Sequence, residues 1–411
     1  MPKEQNISLR TAIVGGGAAG FFLAVNLKEL CPEMGVTIFE RGERVLAKVR
    51  VSGGGRCNCT NSFEDVSDLS TVYPRGHKLM KRLFRTFNHE DAYEWFEQHG
   101  VRLMTQEDNC VFPATQDSQT IIDCFLYHCR RLGVEVRRNS PIASLVELSD
   151  YDFIALTTGG QPRAERLQWL AEMGHEIVAP VPSLFTFSIE DTDLRALMGT
   201  VVEDTTAFIP GTKFRASGPL LITHWGMSGP AILKLSSYAA RHLAEAGYHA
   251  PLAINWTGKD EDSVRQHLSD LFAQNPRKQL ASLRPFNLPA RLWEYIIRKA
   301  ILAREPQALS ATNNLATLAK RHLNRLTATL TADPYTISSR APFRDEFVTC
   351  GGVALTAVNP STLESRHRPH LYFAGELLDI DGITGGFNFQ AAWTTAFTVA
   401  KSIAEEVKGE G

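Results

Sequence analysis

Thr11-Ala12-Ile13-Val14-Gly15-Gly16-Gly17-Ala18-Ala19-Gly20-Phe21-Phe22-Leu23-Ala24-Val25-Asn26-Leu27 decides how this chain is read. An apolar strand runs into a glycine turn, and the turn opens a helix-compatible apolar stretch. Such a turn leaves backbone N–H groups at a helix N-terminus, where their partial positive charge holds a pyrophosphate without any basic side chain. A second short strand, Val36-Thr37-Ile38-Phe39, ends in Glu40, 20 residues beyond Gly20. A carboxylate there can accept hydrogen bonds from an adenosine ribose. Gly15, Gly17, Ala18, Ala19, Gly20, Glu40 and the adjacent Arg41 are therefore candidate dinucleotide contacts. The turn alone leaves NAD and FAD equally open.

The same pattern recurs at the other end of the chain. Leu371-Tyr372-Phe373-Ala374 reads as a strand ending in Gly375-Glu376, and Asp379-Ile380-Asp381-Gly382-Ile383-Thr384-Gly385-Gly386-Phe387-Asn388 leads into a helix from about Phe389 to Glu406. This placement fits one parallel sheet interrupted by a long insertion and then resumed. A nicotinamide nucleotide needs one such unit, whereas the ribityl chain and flavin ring of FAD need a second docking point. Glu376 or Asp381 can accept bonds from ribityl hydroxyls, and a helix N-terminus at Gly385-Gly386-Phe387-Asn388 can stabilise charge on the flavin N1–C2=O edge. FAD thus accounts for more of the chain than NAD does. Between the two ends, Phe153-Ile154-Ala155-Leu156 is a further strand with its own glycine turn, Thr157-Thr158-Gly159-Gly160.

Leu46 to Asn61 reads as loop or turn, because Ser52-Gly53-Gly54-Gly55 sustains neither helix nor strand. Residues 76–99 read as one amphipathic helix, Thr120 to Leu132 as another, and Gly133 to Arg137 as a strand. From about Pro180 short apolar runs separated by turn residues (Leu184 to Ile189, Ala207 to Pro210, Gly218 to Thr223, Leu252 to Trp256) suggest a small β-rich unit. Asp260 to Thr331 turns helical, punctuated by prolines. This stretch is basic: Arg277, Lys278, Arg284, Arg291, Arg298, Lys299, Arg304, Lys320, Arg321 and Arg325 stand against Glu294 and Glu305. Dispersed charges without a nucleic-acid motif read first as a solvated helical surface.

The 411 residues call for two or three structural units. Lys plus Arg (43) nearly balance Asp plus Glu (45), so net charge gives no reason to expect nucleic acid or an acidic membrane as partner. Neither a signal peptide nor a spanning apolar run is read, and a cytoplasmic location is expected. The seven cysteines lack metal-ligand spacing, and no metal site is read from them. A bridge across Cys57-Asn58-Cys59 would be strained, and Cys124 and Cys129 read as core.

Ser52-Gly53-Gly54-Gly55-Arg56-Cys57-Asn58-Cys59-Thr60-Asn61, with the N-terminal turn, Thr223-His224-Trp225-Gly226-Met227-Ser228-Gly229-Pro230, Gly351-Gly352-Val353 and the segment from Gly375 to Gln390, resembles the BaiN-like, or aminoacetone-oxidase-like, family of bacterial FAD flavoproteins. The resemblance covers nearly the whole chain. It implies an α/β fold: a discontinuous Rossmann-like FAD/NAD(P)-binding domain (9–185 and 343–408), a β-barrel insert (186–258 and 332–342) and a helical part of that insert (259–331). It also implies that Lys48 and Ser52, Gly53, Gly54, Gly55, Arg56, Cys57 and Asn58 wrap the flavin end of FAD. Independently, three successive glycines let backbone amides approach a ligand, and Arg56 offers a charge. The chain departs from the family in having Phe387 for a usual Tyr, Ala47 for a usual Gly, and a shorter loop after Gly160.

The expected activity is FAD-dependent oxidoreduction: hydride transfer at flavin N5 to or from a small organic substrate, the insert closing over the flavin face. Within the family this means reduction of an enone-type double bond or oxidation of an amine. His224 is a weak candidate proton donor. With no second G-x-G-x-x-G, NAD(P)H would dock transiently as reductant. Two alternatives remain, a flavin-dependent protein that binds or modifies nucleic acid, and a flavin-binding module without turnover.

Overall fold

The apolar run around Ile13 becomes β1 (Arg10–Val14) in the computed structural model, which describes residues 9–306, 315, 320–341 and 348–409. The chain divides into two units, residues 1–181 with 348–411, and residues 182–347. Residues 342 and 343, where return to the first domain was expected, lie outside the described residues. So do 307–314 and 316–319 of the expected helical stretch and the first eight residues.

In the first unit α1 (Ala18–Leu30) and β2 (Gly35–Phe39) complete the opening βαβ half, followed by α2 (Ala47–Gly55), β3 (Thr60–Asn61), α3 (His77–Leu83), α4 (His89–Gln98), β4 (Leu103–Thr105) and β5 (Cys110–Pro113). Next come α5 (Gln119–Arg131), β6 (Glu135–Arg137), β7 (Phe153–Leu156), α6 (Gln168–Glu172) and β8 (Ile177–Ser183). In the second unit the chain forms β9 (Phe187–Ile189), α7 (Thr192–Arg195), β10 (Val201–Phe208), β11 (Arg215–Ile222), β12 (Gly226–Ser228), α8 (Pro230–Tyr238), α9 (Ala240–Glu245), β13 (Ala250–Asn255), α10 (Glu261–Gln274), α11 (Ala290–Ile297), α12 (Lys320–Ala332) and β14 (Asp333–Arg340). It returns through β15 (Val348–Val353), β16 (Leu371–Phe373) and α13 (Phe387–Gly409).

Five parallel strands form the main sheet of the first unit in the order β16-β7-β1-β2-β6. This is a doubly wound sheet whose strand order reverses between β1 and β7. Helix α1 is buried along Ala19–Leu27, so it is enclosed on all sides rather than amphipathic, with Asn26 the one polar side chain in that stretch. Phe22 meets Trp393 of α13 at 5.1 Å and Trp95 of α4 at 4.6 Å between ring centroids, fixing three helices in one aromatic core. The second unit is a closed six-stranded barrel, β10-β11-β12-β9-β14-β13, whose core is shared with α10, α11 and α12 through Leu268, Trp293 and Leu326. The expected α/β fold with an inserted barrel and helices is the fold observed.

Local expectations differ in three places. The single helix expected over 76–99 is two, because Asn88 caps α4: its side chain accepts from Glu90 and Asp91 N–H while Asp91 reaches back to Asn88 N–H. The loop expected over 46–61 begins instead as helix α2, and the chain leaves helical geometry from Ser52 onward through Gly53 and Gly54. The apolar sequence between β12 and β13, unassigned beforehand, forms α8 and α9 over the barrel core. Among the described residues no helix is long and apolar enough to cross a membrane.

Much of the basic charge of the helical stretch is used internally. Arg298 pairs with Asp193 (3.9 Å), Lys299 with the buried Asp333 (2.7 Å), and Arg321, His322 and Arg325 surround Glu305 at 2.9, 3.0 and 2.7 Å. Hydrogen bonds from Arg321, then His322 and Arg325, hold the Glu305 carboxyl well below its ordinary value of 4.5.

Two outcomes follow from this packing. A Cβ on Gly20 would stand 2.1 Å from Gly15 O and 2.8 Å from Thr157 Oγ1, so Gly20→Ala should lower stability by about 1–3 kcal/mol in urea unfolding. Because the folded-state pKa of Glu305 is depressed, its contribution is full above the unfolded value and lost as pH falls. Glu305→Gln should therefore lower Tm at pH 7, and the gap from wild type should shrink steadily below pH 4.5.

Candidate functional site

The carboxyl ends of β1, β2, β7 and β16 bring together Gly15, Glu40, Gly159 and Gly375-Glu376, which lie far apart in the sequence. Each end of the glycine turn is held. Gly15 N–H donates to Phe39 O (2.8 Å), Gly15 O accepts from Thr157 Oγ1 (2.9 Å), and Gly16 O accepts from Leu46 N–H (2.8 Å). Glu40 accepts from the N–H groups of Gly16 (3.0 Å) and Gly42 (2.8 Å), so its carboxylate shapes the turn as well as facing the strand ends. Arg41 is exposed beside it.

Helix α1 has Gly17 as N-cap, with no side-chain cap and no acidic residue in its first turn. Its first helical bond runs from Phe21 N–H to Gly17 O (3.1 Å), so the N–H groups of Gly17, Ala18, Ala19 and Gly20 precede the helical ladder. This is the donor set a pyrophosphate needs. A Cβ on Gly17, Gly54, Gly55 or Gly159 would meet no heavy atom within 4 Å, which leaves room for a ligand against those backbones.

The Ser52–Asn58 segment is a rigid left-handed turn rather than a slack loop. Gly53, Gly54, Gly55 and Cys57 have φ of 55°, 69°, 86° and 61°. Arg56 closes it, with Nε donating to Gly53 O (3.1 Å) and the guanidinium 4.3 Å above the Phe112 ring, so its charge is stacked rather than ion-paired. Cys57 and Cys59 are buried with Sγ atoms 3.9 Å apart. Burial, then Cys57, pushes the Cys59 thiol well above its ordinary value. Among the described residues the cysteines form no disulfide.

This turn is stitched to the start of α13. With its amide oriented so that the nitrogen faces Thr60 O, Asn58 donates to that oxygen (2.8 Å) and accepts from Gly386 N–H (3.2 Å). Asn61 Nδ2 donates to Gly385 O (3.0 Å), Trp393 Nε1 to Cys59 O (2.8 Å), and Tyr73 OH to Phe387 O (2.8 Å). Asn388 Oδ1 and Nδ2 pair with the backbone N–H and carbonyl of Gly382, each at 2.8 Å. Ser52 is held locally, its hydroxyl donating to Val49 O (2.8 Å).

Two carboxylates expected to face the ligand have other partners. Glu376 accepts from the half-exposed Lys48 (2.9 Å) and from Thr349 N–H (2.8 Å). Asp381 is fully buried, and Arg75 binds both its oxygens, Nε at 2.6 Å from Oδ1 and the second nitrogen on Oδ2. Burial opposes the Arg75 charge, but the Asp381 carboxylate raises its pKa above the ordinary value. Arg75, Thr157 and Thr349 were missed beforehand. Thr157 had a local signal, the strand end before Gly159-Gly160, whereas Arg75 and Thr349 meet their partners only through topology. His224 lies exposed in the turn between β11 and β12, its ring 4.8 Å from Trp225.

The family model described as "HI0933-like protein Rossmann domain" matches residues 9–402. The chain belongs to this family. The resemblance read from the Ser52–Asn61 segment is thereby upheld. Among curated proteins the chain is 26% identical over 418 residues to the ribosomal RNA dihydrouridine synthase of Haemophilus influenzae, covering 96% of this chain and 98% of that one. It is likewise 26% identical over 423 residues to the 3-dehydro-bile acid delta(4,6)-reductase of Clostridium scindens, covering 96% and 99%. Among solved structures, 3-ketosteroid delta1-dehydrogenase from Sterolibacterium denitrificans aligns at TM-score 0.46 and 11% identity, over 96% of this chain and 99% of that chain.

The buried ion pair yields a direct check. Asp381→Asn removes the buried carboxylate that binds Arg75 and should cost about 3–5 kcal/mol in chemical denaturation. Combining it with Arg75→Met should recover part of that loss, because the double change removes the guanidinium together with its carboxylate.

Proposed function

We propose that the chain is an FAD-dependent reductase that saturates a carbon–carbon double bond conjugated to a carbonyl. The uncapped N-terminus of α1, over a glycine turn clamped at the point where the sheet order reverses, carries the dinucleotide part of this reading. FAD, when bound, supplies hydride transfer at its N5. The chain's own residues do the holding: Gly17 to Gly20 N–H groups at the pyrophosphate, Glu40 at the ribose, and the Gly53–Gly55 turn with the start of α13 at the flavin. Lys48, tethered by Glu376, places a positive charge at the same strand edge.

The two relatives named above are called a dihydrouridine synthase and a delta(4,6)-reductase, and these names favour reduction of a double bond over amine oxidation. The reaction would place a hydride on the β-carbon and a proton from solvent on the α-carbon, with NADH or NADPH, docking transiently, as the electron source that would reduce the flavin again. A second reading takes the C5–C6 bond of a uracil base in RNA as that double bond. It is supported by the name of the Haemophilus influenzae relative and by exposed Arg277, Lys278, Arg304 and Lys320 in the helical stretch.

An anaerobic absorbance titration tests the proposal. NADPH or NADH should bleach the flavin band, and an α,β-unsaturated ketone or a uridine-containing RNA should restore it while saturated counterparts do not. Restoration by RNA alone selects the second reading. A protein that cannot be reconstituted with FAD, or a flavin that aminoacetone reduces and no conjugated double bond reoxidises, overturns the proposal.

A further inference from the structure

Glu29 is the penultimate residue of α1, His99 is the C-cap of α4, and His128 lies in the last turn of α5. One ligating atom from each lies within 4.8 Å of the other two, far along the sequence but side by side in the first unit. The strand ends that gather the glycine turns lie at the opposite end of α1.

The hydrogen bonds of His99 determine what it can present. His99 Nδ1 is 2.7 Å from Trp95 O, and a carbonyl only accepts, so Nδ1 carries the proton. In the neutral ring Nε2 then offers a lone pair, yet it faces Glu29 Oε1 at 3.0 Å. Two acceptors at that distance are held together by a proton or a metal ion between them. His128 is only 7% exposed, its Nε2 lies 3.3 Å from His99 O, and its buried Nδ1 has no hydrogen-bond partner. Such a group is costly to leave unsatisfied, and among the described residues nothing bonds to it. The rings are also held in place: Trp95 stacks on His99 at 3.7 Å, and His128 stands edge-on to His99 at 4.6 Å. A histidine ring oriented by a backbone carbonyl on its far nitrogen is the usual arrangement around a protein-bound metal.

We propose that Glu29, His99 and His128 bind a divalent transition-metal ion of the zinc type. Two imidazoles and one carboxylate suit Zn²⁺ or Co²⁺, and the nitrogen-rich set disfavours Mg²⁺ and Ca²⁺. The Glu29 side chain is 34% exposed, which gives the ion a way in from solvent. Bound there, the ion ties α1 to α4 and α5 and stabilises the folded chain by linkage.

The test uses the purified flavoprotein, treated with EDTA, dialysed, and titrated with Zn²⁺, Co²⁺ and Mg²⁺. Equilibrium dialysis with metal analysis counts bound ions, thermal unfolding reads the Tm shift, and the visible Co²⁺ spectrum reports its ligands. Wild type should bind one equivalent of Zn²⁺ with a rise in Tm, give a Co²⁺ spectrum of nitrogen and oxygen ligation, and ignore Mg²⁺. Glu29→Gln, at a partly exposed position, and His128→Asn should each weaken Zn²⁺ binding by at least about tenfold. An unchanged flavin spectrum and circular dichroism in Glu29→Gln confirm that its fold is intact. Binding that both variants retain in full places the ion elsewhere and overturns the site. Failure of wild type to bind Zn²⁺ also overturns it, and makes a proton on His99 the cation that Glu29 faces.

Discussion

A Cβ on Gly386 would stand 2.2 Å from the carbonyl oxygen of Thr60, so the two backbones meet where no side chain fits. The approach joins the turn after α2 to the start of α13, and the rest of the candidate site depends on it. Around it Asn58, Asn61, Tyr73 and Trp393 each direct a polar group at the backbone of the other segment. Buried backbone donors and acceptors must be paired, and here each end of the chain pairs the other. Thr60 Oγ1 adds a side-chain bond to Gln390 (2.6 Å), one turn further along α13.

Where the determinants are local, the sequence was readable. The strand, glycine turn and helix from Arg10 to Leu30 need only neighbours, as do the Phe153–Leu156 strand and the terminal helix. The Asn88 capping box was local too and was overlooked, because the hydrophobic period ran on past it. Arg75 and Asp381 gave no such signal: they are 306 residues apart and become partners only when β16 has taken its place in the sheet. Glu29, His99 and His128 were hidden for the same reason, each reading alone as an ordinary helix residue. The helices α8 and α9 form against a barrel core that the sequence does not announce.

The second unit solves a different problem. Asp333 opens β14 fully buried, and its charge is met by Lys299 at 2.7 Å and by Trp256 Nε1–H at 3.0 Å, with Tyr335 donating as well. Burial raises the Asp333 carboxyl above its ordinary value, and the lysine and these donors counter that rise. The arrangement ties the junction between α12 and β14 to the helical turn that follows α11, Arg298–Leu302, through one ion pair. A lysine of the basic helical stretch is thus spent on the interior of its own unit.

The uncapped start of α1 has a consequence for how such a site withstands change. The donors it offers are main-chain amides, which every residue except proline carries. Substitution by any residue but proline does not delete them, whereas an added methyl group at Gly15 or Gly20, where backbone atoms crowd in, would spoil their placement. An anion seat built this way would tolerate drift in most surrounding residues while the reactive end of the pocket is rebuilt for new substrates.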